Sequence, residues 1–134
     1  MLYVLPLAIP ANTAQASPYE EALKLTDGVI TRVEVEFPAG CAGLAHSYAR
    51  RAIHQVFPTN PDGNLCSDNH VIVWNDYEDL AADPRILTIG GWNLDDTYAH
   101  TITWRVELTP REIAERLKST DTLLSKMARL LGIK

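Results

Sequence analysis

The chain has 134 residues, 46% of them hydrophobic, which is the size and composition of one domain able to close a core without disulfides or metals. Its net charge of −5 is unevenly divided: residues 1–109 carry six Lys/Arg against fourteen Asp/Glu, whereas residues 110–134 carry six against three. An acidic body repels phosphate, and the few positive charges of the tail are spread round a helix, so nucleic-acid binding is not expected.

Leu2 to Ile9 is short, apolar and interrupted by Pro6, a pattern suited to an edge strand because proline cannot donate to a ladder. As an extended arm, Leu2 to Pro10 is also a candidate for pairing with a neighbour's sheet edge. Ala14-Gln15-Ala16 before Ser17 imitates a signal-peptidase site, but no Lys or Arg precedes the apolar stretch and two prolines break it, so it is read as part of the fold. No apolar run approaches the length of a membrane span, so a soluble protein without a membrane partner is expected.

Ala22 to Phe37 reads as two extended pieces around Asp27-Gly28. The second alternates, with Val29, Thr31, Val33, Val35 and Phe37 on one face and Ile30, Arg32, Glu34 and Glu36 on the other. Pro38 to Gly43 turns the chain, and Leu44 to Phe57 suggests a hairpin, with a helix as its rival. Pro58 to Asn64 is dense in turn formers and belongs on the surface. His70 to Trp74 reads as a short strand, Asp76 to Pro84 as an acidic loop, and Arg85 to Trp92 as a strand broken by Gly90-Gly91. In the strongest strand, His100, Ile102, Trp104, Val106 and Leu108 face one way while Thr101, Thr103, Arg105 and Glu107 face the other. About seven short strands without interleaved helices predict a mainly β fold, an antiparallel, jelly-roll-like sandwich spanning 1–109.

Residues 110–134 predict a C-terminal amphipathic helix. Thr109-Pro110-Arg111-Glu112 reads as a capping Thr, a Pro at the first helical position and a Glu at the third, and Gly132 as the stop. Ile113, Leu117, Thr120, Leu124, Met127 and Leu131 recur at alternating steps of four and three, which is an a/d seam, and Leu123 and Leu130 widen it. The stripe requires a cover, either the chain's own sandwich or other copies in a short parallel coiled coil. The second is preferred, because the helix follows a domain that can close its own core.

Catalytic chemistry finds little support. Cys41 and Cys66 lack metal or redox spacing and are read as free thiols in preference to a disulfide. His46, His54, His70 and His100 form no ligand motif, and no nucleophile elbow or phosphate loop is present. Neither an enzyme nor a bound cofactor is expected. The acidic loops offer hard oxygen donors, with Asp62, Asp68, Asp95 and Asp96 as candidate calcium ligands, although a solvated acidic loop is the default. Trp104 reads as core, and Trp92, beside the glycines and the Asn93 to Asp96 turn, as the exposed aromatic on which a sugar could stack.

Ile9-Pro10-Ala11-Asn12-Thr13, Phe37-Pro38-Ala39-Gly40-Cys41, Pro58-Thr59-Asn60-Pro61-Asp62-Gly63, and Trp92 to Tyr98 with His100-Thr101-Ile102 have the flavour of small auxiliary or decoration proteins of tailed bacteriophage virions. The chain resembles them in architecture over its whole length: an acidic β-sandwich, a proline-rich arm and a terminal helix. The resemblance carries no functional residue. It implies a non-enzymatic virion protein that binds a capsid or tail subunit as a homo-oligomer, with a trimer favoured. A carbohydrate-binding sandwich, calcium-dependent or built on Trp92, is the alternative.

Overall fold

The structure is a computed structural model that describes residues 1–132, without the side chains of Asp121 and Thr122. Its elements, in chain order, are β1 (Leu2–Ile9), β2 (Tyr19–Lys24), β3 (Val29–Phe37), β4 (Ala45–Arg51), β5 (His54–Phe57), β6 (Leu65–Cys66), β7 (His70–Asp79), β8 (Ile86–Asn93), β9 (His100–Thr109) and α1 (Arg111–Leu130). One sheet runs β1-β9-β3-β7, and the other runs β2-β8-β4-β5 with β6 also on β4. Strands pair antiparallel in a nested series, β1 with β9, β2 with β8, β3 with β7 and β4 with β5. A long hairpin rolled into two layers has this order. It is a jelly roll, and the expected sandwich followed by a helix is what the chain forms.

The two inner faces meet in a core of Leu7, Ile9, Val33, Val35, Phe37, Phe57, Leu87, Ile89, Ile102, Trp104, Val106 and Leu108. Trp104 is fully buried, as its alternating strand predicts, and its indole N–H donates to Ser47 Oγ at 2.9 Å. Ser47 in turn donates to the Gly90 carbonyl at 2.8 Å, so a satisfied polar chain ties β9 to β4 and β8.

β1 is an edge strand, and it pairs with β9 of its own chain, with Leu7 and Ile9 buried. The inward side chains of β1 complete this chain's core, so the segment is an integral strand and not a loose arm, and the edge of β1 away from β9 is the one that stands open for pairing with a neighbour. Met1 and Leu108 exchange both backbone bonds, which by alternation points the amide position of Pro6 away from β9, so the proline costs no ladder bond.

Other expectations change where tertiary pairing overrides local signals. β7 runs on through the acidic segment to Asp79, which pairs with Val29. At the edge of its sheet it tolerates charge, and Glu78 is met by Arg51 at 3.3 Å. β8 is not broken by its glycines. In β3 the alternation slips at Thr31, where an extra residue stands against β9 between Ile30 and Arg32. This bulge sends Ile30 into the core and leaves Thr31 outside, its hydroxyl 2.8 Å from that of Thr109. Thr109 thus belongs to the sheet and does not cap the helix. Pro110 holds the cap position without a side-chain cap bond, and its carbonyl accepts the Ala114 N–H.

Candidate assembly surface

Arg111, Ala114 and Lys118 in the first two turns of α1 fasten it to the sandwich. Arg111 Nη2 lies 2.6 Å from Asp27 Oδ1 and 2.6 Å from Asp79 Oδ1, with Nε also donating to Asp79, so one guanidinium clamps the loop before β3 and the end of β7. Hydrogen bonding to Arg111 holds both carboxyls below the usual Asp range, and the two carboxylates raise the guanidinium in return. Ala114 is buried against the sheet. Lys118 places its ammonium 4.4 Å above the centre of the Tyr77 ring.

Beyond Lys118 the helix leaves the body. From Ser119 to Leu130 every residue whose burial is described is exposed, apart from half-buried Ala128. The predicted seam residues do line one helix: Ile113, Leu117, Leu124 and Met127 are all exposed, with Leu117 and Leu124 at 56% and 57%. Leu131 caps the helix at its C-terminal end, and Gly132 follows with a φ of 72°, the left-handed stop expected of it. The apolar stripe therefore does not lie on its own sandwich.

The other candidates are spent on structure. Asp68 Oδ1 accepts the N–H groups of Gly40 and Ala42 at 2.9 and 3.0 Å. Asp95 accepts the N–H groups of Thr97 and Tyr98 and meets His100 Nε2 at 2.9 Å, and the Thr97 amide with the His100 bond holds its carboxyl below the usual range. Asp96 accepts the Thr97 hydroxyl, while Asp62 stands on the separate 58–64 loop. The four proposed calcium ligands are not brought together, and no group of three or more His, Cys, Asp or Glu among the described residues is placed to hold a metal.

Trp92 is a correction. It is 6% exposed, its ring stacked on His46 at 4.9 Å with Tyr48 tilted beside it, so it offers no open face for a sugar. Alternation sends it to the outer face of its sheet, but the neighbouring strand β4 covers it. Both cysteines are free thiols, Cys41 buried and Cys66 exposed, and burial pushes the Cys41 thiol up.

No family model, curated protein or solved structure matches this chain. No described helix is long and apolar enough to cross a membrane. The surface with a defined chemical demand is thus the distal half of α1 and its uncovered stripe. Sequence reasoning located those residues but missed the clamp beneath them, since Asp27 and Asp79 lie 84 and 32 positions from Arg111 and no local pattern joins them.

Proposed function

We propose that this is a non-enzymatic structural protein whose C-terminal helix joins copies of the chain, and whose sandwich presents the assembled unit to another protein surface. The observation that carries the reading is the exposed seam on a helix whose contacts with the sandwich, among the described residues, lie at its base. Residues 119–130 open with Ser-Thr-Asp-Thr, all mediocre helix formers, and an isolated helix of about 12 residues is marginal in water. Such a segment draws its helicity from packing. Each leucine covered by a partner contributes ~1.5–3 kcal/mol, which is the scale of stabilisation the segment needs.

The setting we propose is the surface of a virion, where the chain serves as an auxiliary or decoration protein on a capsid or tail. The jelly roll, which recurs in capsid domains, supports that setting by analogy of fold. The compact strand pairing leaves the acidic outer faces as contact surface. The carbohydrate-binding alternative has lost its candidate platform with the burial of Trp92.

The test is the absolute mass in solution, by light scattering behind a sizing column, of the full chain and of a chain stopped at Thr109. The shorter chain keeps every residue of the buried core cluster, none of which comes from α1. An oligomer that falls to monomer on truncation is expected. A monomeric full chain, or an oligomer indifferent to the loss of the helix, would overturn the reading. Purified virions of the source should contain the chain in many copies.

A further inference from the structure

We infer that α1 packs with the same helix of two further copies, parallel and in register, so that the unit is a trimer. This rests on the proposal that the helix joins subunits, and it adds number and orientation.

The number follows from the width of the stripe. In the seven-residue repeat, Leu117, Leu124 and Leu131 share position a, and Ile113, Thr120 and Met127 share position d. Leu123 and Leu130 stand beside them at g, with Ala114 and Ala128 at e. A pair of helices covers a and d and leaves the g column at the rim. Leu123 and Leu130 are 59% and 87% exposed, so a two-helix seam would keep two large apolar side chains at its wet border. A third helix closes over that column. Leucine fills all three a positions, so the β-branched a residues that favour two strands are absent here. Thr120 does not spoil the seam, because its hydroxyl donates to the Arg116 carbonyl at 2.9 Å and so brings no unpaired donor inward.

Orientation follows from charge. The sequence puts Arg116 at g and Asp121 at the next e, five residues on. In a parallel, in-register bundle, g of one helix faces the following e of its neighbour, so a basic and an acidic position stand in register at every helix pair. Antiparallel pairing sets g against g and loses this match. The Arg111 clamp and the Lys118 contact hold the helix base to the body, which keeps the stripe turned outward for the neighbouring copies.

The experiment uses the full-length chain. Light scattering on the unsubstituted protein should give three times 14.9 kDa. A Cys66→Ser, Met127→Cys variant, which removes the exposed thiol and places one at d, should on mild oxidation carry more than half its chains as disulfide-linked dimers within a trimer. If that variant does not assemble, charge exchange reads the orientation: Arg116→Asp should weaken assembly at least several-fold and Arg116→Asp with Asp121→Arg should restore it. A helix-dependent dimer or tetramer, an uncrosslinked trimer, or a double exchange without recovery overturns this inference while the joining role of the helix stands. A monomeric full chain overturns both.

Discussion

Gly90 and Gly91 lie in the middle of β8, where glycine's lack of a side chain is used for close approach. A Cβ at Gly91 would sit 2.4 Å from the His46 backbone oxygen and 2.6 Å from Ile9 Cδ1. One at Gly90 would meet the Tyr48 hydroxyl at 2.5 Å and its Cζ at 2.6 Å, the far end of a side chain on the outer face whose hydroxyl donates to Glu20 and which can give way more readily than backbone. Gly91→Ala should therefore cost about 1–3 kcal/mol, in the range of an overpacked core, and lower Tm by roughly 5–10 °C. Gly90→Ala should cost clearly less, and equal losses in a pair of thermal melts would refute the assignment of the obstruction to backbone. The glycine pair read as a break in the sequence because local propensity treats glycine as a strand breaker, while close approach is a property of the partner strand. Trp92 was misjudged for the same reason: the ring that covers it, His46, is 46 positions away on β4, and no local pattern announces that stack.

At the scale of elements, the amphipathic helix and the alternating strand β9 were legible because their periodicities are local and long. The bulge at Thr31 and the extension of β7 were not, since each depends on register against a distant strand. The clamp belongs to that hidden class, and its consequence is a pH dependence of known sign. Asp27 and Asp79 are held below their ordinary range in the folded chain, so the unfolded chain takes up protons first as pH falls. The stability they contribute is complete above the ordinary Asp value of about 3.9 and is lost as pH drops through the lower folded values. Both carboxylates are substantially exposed, so solvent screens the effect and keeps it modest. In Arg111→Gln the decline of Tm below pH 4 should be shallower than in the parent, with Tm at pH 7 slightly reduced. Superimposable pH curves for the two proteins would show that the guanidinium does not hold the helix base.

For the whole molecule, the division between a self-sufficient jelly roll and a helix that lacks cover sets how stability responds to concentration. The nested strand pairs bury the core within one chain, so a sandwich without the helix unfolds as a unimolecular event. A helix whose apolar stripe is filled by other copies couples folding to association, and mass action then makes stability rise with protein concentration. The acidic body opposes that association, since identical bodies of this sign repel, and the mildly basic helices repel one another as well, so the attraction comes from burying the apolar stripe. Added salt should therefore weaken body repulsion with little loss at an apolar seam. A hundredfold increase in concentration should raise the Tm of the full chain by several degrees and leave that of the chain stopped at Thr109 unchanged. If both melts ignore concentration, the helix finds its cover within one chain and the assembly reading fails. If both follow it, subunits meet through the sandwich, and the free edges of the two sheets become the surfaces to examine.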